Sequence, residues 1–186
     1  MNTQIALAGV GGQGILFATK LLAETAIRLG HGLLGSETHG MSQRGGSVVS
    51  YLKIGDFFSP LLSAGSVDYL LAFEADEAYR NVHFVKPGSD GLPGGKLYVN
   101  SGGGFPSPEI GEFFEKNGMA AKAIDADQAA LKLGAAVASN IIMIGFAAKD
   151  PDFPFSLEQL ILTAEEASPE RFKKMNIRAL EAGHQL

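Results

Sequence analysis

The sequence predicts an α/β protein: a three-layer α/β/α sandwich around a mostly parallel or mixed sheet. Three observations predict it. Short apolar runs alternate with segments of helical periodicity along most of the chain. The first run, Ile5 to Ala8, leads directly into Gly9-Val10-Gly11-Gly12-Gln13-Gly14, a strand-to-helix turn that makes the arrangement Rossmann-like. The stretch from Ser47 to Phe73 holds two strand patterns with little helix between them, so part of the sheet is antiparallel. Residues 1–186 read as one domain, a length that one core can serve.

The elements follow in order. Thr3 to Ala8 suits a buried parallel strand. Ile15, Ala18, Leu22, Ala26 and Leu29 recur at helical spacing, with Gly30 placed to end the helix. Leu33 to Ser36 is a second strand, and a polar loop runs from Glu37 to Gly46. Ser47 to Ile54 is β-branched and partly alternating, and Gly55-Asp56 makes a turn. Val67 to Phe73 is a strand, Ala75 to Asn81 a short helix, and His83 to Val85 a brief strand. Loops at Pro87–Gly95 and Gly102–Pro108 flank the strand Lys96 to Asn100. Glu109 to Asn117 is helical and stops at Gly118, and Ala120 to Ile124 is the last strand. Asp127 to Ala148 is helical with a break near Gly134. Ser156 and Gln159 form a capping box. Ser168-Pro169 opens the final helix, with Pro at its first position and Gly183 at its end.

Composition narrows the function. Hydrophobic residues are 46% and charged residues 19%, enough apolar material for a core. The mean hydropathy of +0.12 points to a surface buried against a partner. A net charge of −5, with Lys173-Lys174 the single adjacent basic pair, argues against a nucleic-acid partner. Cysteine is absent, so thiol catalysis and any Cys-ligated zinc or iron–sulfur group carried by this chain are excluded. No metal is expected from His31, His83 and His184, whose spacing matches no ligand pattern. No basic leader or membrane-spanning run is expected, which makes the cytoplasm the simplest location.

Two glycine-rich segments carry the chemistry. Gly9, Gly11 and Gly14 fit G-x-G-x-x-G, with Gly12 in addition, and expose backbone N–H groups at a helix start where an anion is favoured. The plain alternative is a tight turn that lets helix and sheet pack closely. Glu37 sits where a dinucleotide fold places its ribose-binding acid. It leads, however, into another glycine-rich loop rather than a second crossover helix. That second segment is Glu37-Thr38-His39-Gly40-Met41-Ser42-Gln43-Arg44-Gly45-Gly46-Ser47. The Arg44 guanidinium suits an anion or a partner's carboxylate, and equally an internal ion pair with Glu37. His39 reads as a loop hydrogen-bonding group. Gly45 and Gly46 permit positive φ or close approach, and with Ser47 they could form an anion nest. Asn140 and Asn176 read as ties between helices and loops.

These two blocks together resemble the gamma subunit of 2-oxoacid:ferredoxin oxidoreductases, most closely the gamma-type chain of the indolepyruvate enzyme. The resemblance continues through Ser59-Pro60-Leu61, Asp68, Phe73-Glu74, Glu77-Ala78, Val99-Asn100, Asn140, Met143, Gly145, Asn176, Ala179 and Gly183. It implies a hetero-oligomer of anaerobic metabolism that decarboxylates a 2-oxoacid on thiamine diphosphate and magnesium. Electrons then pass through iron–sulfur clusters to ferredoxin, and the acyl group goes to coenzyme A. The chain has no Gly-Asp-Gly segment followed by Asn-Asn, so the resemblance leaves the thiamine and cluster chemistry to partner subunits. No residue here is expected to be catalytic, and the isolated chain is expected to be inactive. The site residues expected for a partner or coenzyme A are Glu37, His39, Gly40, Gln43, Arg44, Gly45, Gly46 and Ser47, beside the glycine loop of Gly9, Gly11, Gly12 and Gly14. A stand-alone NAD-dependent oxidoreductase and a nucleotide-binding α/β protein are the alternatives. The first is weakened by the lack of a histidine–carboxylate acid–base set in the C-terminal half.

Overall fold

The computed structural model describes residues 1–39, 45–89 and 91–186. Six strands form one sheet: β1 (Thr3–Val10), β2 (Leu33–His39), β3 (Ser47–Ile54), β4 (Tyr69–Ala72), β5 (Lys96–Asn100) and β6 (Ala120–Ile124). Their order is β2-β3-β1-β4-β5-β6. β1, β4, β5 and β6 are parallel, whereas β3 is antiparallel to both β1 and β2. The sheet is therefore mixed and mostly parallel, with β3 its reversed strand.

Alternation along β1 divides the core. Ile5 and Leu7 face the layer formed by α1 (Ile15–Arg28), α4 (Ala126–Lys132), α5 (Ser139–Ala147), α6 (Leu157–Ala167) and α7 (Glu170–Gln185). Ala6 and Ala8 face the thinner layer of α2 (Ala75–Asn81) and α3 (Pro108–Lys116). The chain leaves β1 through α1 on the first face and leaves β4 through α2 on the second. The carboxyl ends of β1 and β4 are thus a topological switch point, the place where open α/β sheets bind ligands.

Local chemistry accounts for the breaks. Gly134 takes φ +68° and separates α4 from a 3₁₀ turn (Ala136–Ala138) and α5, as the sequence predicts. The Ser156–Gln159 capping box opens α6. Four sequence expectations need correction. His83 lies in a 3₁₀ turn (Val82–Phe84), and only Val85 makes a strand-like bridge, to Val67. Glu37 to His39 belong to β2 and pair with Ser50 to Val48, because the antiparallel register with β3 extends the strand into the polar segment. Pro169 precedes the first helical residue of α7. Gly183 lies inside α7, where a Cβ would collide with the Ile142 carbonyl of α5. Gly145 faces the Leu180 carbonyl in the same way, so this helix pair is set by two glycines. Gly183→Ala is expected to cost about 1–3 kcal/mol through overpacking. Thermal unfolding checks this, with a fall of roughly 2–4 °C per kcal/mol for a chain of this size.

An ionic cluster centred on the buried Asp150 lies at the opposite end of the sheet. Lys96, at the start of β5, donates to Asp150 at 2.8 and 2.9 Å and to Asp152 at 2.8 Å. The Tyr98 hydroxyl donates to Asp150 at 2.8 Å, and the Tyr69 hydroxyl donates to the Asp152 carbonyl. Burial alone would raise the Asp150 pKa, but the hydrogen bonds from Lys96 and Tyr98 outweigh it and hold the carboxyl at about 2. Burial and the Asp150 bond both push Tyr98 up. A depressed carboxyl stabilises the fold above its unfolded pKa and loses that contribution as pH falls through the folded value. The pH-dependent part contributed by Asp150, about 2 kcal/mol, is expected to be mostly lost as pH falls from roughly 4 to 2. Asp150→Asn is expected to unfold at lower temperature at pH 7 and to show a flatter decline of Tm across that acid window.

Candidate functional site

The two glycine segments meet at the switch point. β3 returns antiparallel to β1, and Val10 pairs with Ser47. The pairing continues beyond the strands. The Gly11 N–H donates to the Gly46 carbonyl at 2.9 Å, and the Gly45 N–H donates to the Gly11 carbonyl at 3.4 Å. Gly45 has φ +81°, a backbone conformation that glycine supplies without strain.

Gln13 organises the first segment. Its Oε1 accepts from the Val10 N–H at 2.9 Å. Its Nε2 donates to Glu74 Oε1 at 2.6 Å and to the Phe73 carbonyl at 3.3 Å. The side chain thereby straps the end of β1 to the end of β4. Gly9 is required by this strap, since a Cβ there would lie 2.6 Å from Gln13 Oε1. Gly14, at φ +72°, starts α1 without a side-chain cap. Asn140 fills the space a Gly14 side chain would need and donates to the Gly14 carbonyl at 3.0 Å. Asn176 donates to Ser168 Oγ at 2.9 Å. Both asparagines tie helices to neighbouring segments, as the sequence predicts.

Ser47 is held from below. Its hydroxyl donates to Glu77 Oε2 at 2.6 Å, and Glu77 is 1% exposed. Arg80 donates to the other oxygen, Oε1, at 2.6 Å. Asn100 performs a similar task at the next strand end. It donates to the Phe73 carbonyl and to Asp127, and it accepts from the Ala126 N–H.

Beside the first segment lies a cavity of about 490 Å³. Gly12, Gln13 and Gly14 form one wall, and Phe17, Val137, Phe172 and Met175 form apolar walls, with Asn140 and Asn176 between them. Gly12, at φ +105°, has open space where a side chain would project. The sequence reading missed this cavity. Its far walls come from the C-terminal helix and the 3₁₀ turn, and no local pattern places those beside residue 12.

The predicted site residues separate into three groups. Gly9, Gly11, Gly12, Gly14, Gly45, Gly46 and Ser47 come together. Glu37 is exposed on the edge strand β2, opposite Ser50 and separated from β1 by β3. His39 ends β2 with its backbone opposite Val48, and its side chain lies outside the described residues, as do Gly40, Gln43 and Arg44. The anion nest needs correction: the Gly45 N–H is directed at Gly11 and is not available to a ligand. Among the described residues no group of histidine and carboxylate side chains could hold a metal ion, and the chain has no cysteine.

This arrangement departs from a dinucleotide site in one respect. There, the acid-bearing second strand lies next to the first. Here the reversed β3 intervenes, so Glu37 is two strands from the glycine loop.

Comparison with known proteins agrees with a different class. The chain matches the pyruvate ferredoxin/flavodoxin oxidoreductase family over residues 4–186 and belongs to that family. It is a gamma-type subunit of a hetero-oligomeric 2-oxoacid:ferredoxin oxidoreductase. It is 35% identical to the indolepyruvate oxidoreductase subunit IorB of Thermococcus kodakarensis, covering 96% of this chain and 93% of that one. It is 33% identical to the subunit of the same name from Methanothermobacter thermautotrophicus, over 98% and 96% of the two chains. Two solved structures share the fold. The gamma subunit of a keto/oxoacid ferredoxin oxidoreductase from Geobacter sulfurreducens superposes with a TM-score of 0.73 at 24% identity, over 98% of this chain and 96% of that one. The pyruvate oxidoreductase subunit PORC from Thermotoga maritima gives 0.75 at 22%, over 99% and 96%. The 2-oxoglutarate:ferredoxin oxidoreductase of Magnetococcus marinus, solved with 2-oxoglutarate, coenzyme A and succinyl-CoA, gives 0.77 at 20%. This chain covers 30% of it and is itself 99% covered.

The separation of Glu37 from the glycine loop yields a prediction. Calorimetry of the chain with NAD(H) and NADP(H) is expected to be silent up to millimolar concentration, where ΔG° is only about −4 kcal/mol. Micromolar binding would restore the dehydrogenase reading.

Proposed function

We propose that this chain completes a 2-oxoacid:ferredoxin oxidoreductase without bearing any of its cofactors, and that it presents the joined glycine segments to a partner subunit and to coenzyme A. The observation that carries this reading is the junction itself. Two segments of small, polar residues are hydrogen-bonded together at the switch point, beside an apolar-walled cavity. Thiamine diphosphate, magnesium and iron–sulfur clusters do not fit this chain. It has no thiolate, and no group of metal-binding side chains among the described residues. Those groups and the decarboxylation belong to partner subunits, with ferredoxin taking the electrons from the assembly. The chain's own residues contribute shape, hydrogen-bond donors and closure. The cytoplasm is the proposed location. Indolepyruvate, named by the relatives, is the first substrate to assay, followed by pyruvate and 2-oxoglutarate.

Arg44 is the charged group proposed to face the ligand or partner. The purified chain alone is expected to show no 2-oxoacid oxidation with coenzyme A and an artificial acceptor, and activity is expected only after anaerobic reconstitution with partner subunits. Turnover by the chain alone would end this reading. Arg44→Ala is expected to leave thermal stability nearly unchanged while weakening the assembled enzyme by about 1.5–3 kcal/mol, the loss typical of a charge-assisted contact. A higher coenzyme A requirement would assign Arg44 to that substrate. Weaker co-purification at unchanged kinetics would assign it to the partner. An exposed internal pair with Glu37 would cost only about 0–1 kcal/mol and spare activity.

A further inference from the structure

We propose that Glu77, with Glu74 as its counterpart, is a positioning residue that fixes the junction of the two glycine segments. This inference rests on the functional reading above. Both acids belong to one short piece of chain: Glu74 precedes α2 at the N-cap position without a side-chain capping bond, and Glu77 lies in its first turn. Each reaches a different segment. Glu74 accepts from Gln13, whose other amide atom receives the Val10 N–H, so it holds the first segment. Glu77 accepts from Ser47, the residue directly after the Gly45-Gly46 pair, so it holds the second. Beyond the Val10–Ser47 strand pair, the described residues of the two segments are joined by the Gly11–Gly46 and Gly45–Gly11 backbone bonds, one of which is long at 3.4 Å.

A carboxylate buried to 1% exposure needs partners, because an unpaired charge there is costly. Glu77 has two: Arg80 supplies the counter-charge from the solvent side, and Ser47 takes the inner oxygen. A fixed anion gives the Ser47 hydroxyl one favoured orientation and thereby anchors the first residue of β3 to α2. Glycine has no side chain with which to anchor itself, so beyond the β1–β3 ladder the side-chain constraint on this junction comes from α2.

Ser47→Ala removes the contact with little change in volume, and Glu77→Ala and Glu77→Gln bracket it from the other side. Two readouts apply. Hydrogen exchange in the isolated full chain reports the Gly11 and Gly45 amides directly. In the reconstituted complex, the readout is whichever parameter Arg44→Ala moves, the KM for coenzyme A or the retention of partner subunits, compared with kcat. Ser47→Ala is expected to speed exchange at Gly45 about tenfold or more. It should also shift the same complex parameter about fivefold. Glu77→Gln, which keeps an oxygen acceptor, should recover most of the loss seen in Glu77→Ala. Unchanged exchange and unchanged complex kinetics in Ser47→Ala would overturn the proposal even if Glu77→Ala fails to fold. An inactive complex with the wild-type chain would instead overturn the functional reading, leaving the exchange result to decide the junction.

Discussion

The turn after β1 is the constraint on which the carboxyl end of this molecule depends. β1 has an antiparallel neighbour on one side and a parallel one on the other. Its last residues must therefore satisfy two hydrogen-bonding geometries at once. Gln13 supplies the side-chain amide that takes the Val10 N–H and reaches across to β4, while Gly11 continues the ladder toward β3. A buried polar group left without a partner costs about 1–3 kcal/mol, so these bonds decide whether the turn can exist in this form. The glycines follow from the bonds. Gly9 is small because Gln13 folds over it, and Gly14 because Asn140 does.

The reversed strand turns a familiar glycine spacing to a different use. In a dinucleotide fold the second strand lies beside the first and brings its acid to the ribose. Here β3 occupies that place, returns the chain along β1, and delivers Gly45, Gly46 and Ser47 to the same point. The cost is the separation of Glu37 from the loop. The gain is a junction of two backbones whose surface is made of glycine, serine and amide groups. Among the described residues such a surface offers backbone and amide groups for contact with another molecule.

Much of the architecture was legible in the sequence because it is local. The apolar runs of β1, β3 and β5, the break at Gly134 and the Ser156 capping box each follow from neighbours within a few residues. The misread elements were decided by distant ones. Gly183 looks like a helix terminator until α5 is laid against it, and Glu37 to His39 look like loop until β3 supplies their pairing. The site divides the same way. Both glycine segments were visible, and so was their polar character. Their direct hydrogen bonding, the buried Glu77 beneath Ser47 and the cavity walled by Phe172 and Met175 depend on contacts between residues far apart in the chain.

The two ends of the sheet complete the physical picture. At the amino end, Lys96 and Tyr98 direct their polar groups at the buried Asp150, and Asp152 meets Lys96 from the exposed side. That cluster fixes the starts of β4 and β5 against the end of α5. At the carboxyl end Glu74 and Glu77 hold Gln13 and Ser47. Ion pairs and hydrogen bonds at the strand ends thus tie β1, β3 and β4 to α2 at one end and β4 and β5 to the segment after α5 at the other. A chain of this family without cysteine offers no thiolate to a cluster, and what its described residues hold in place at this end of the sheet is the joined backbone of the two glycine segments.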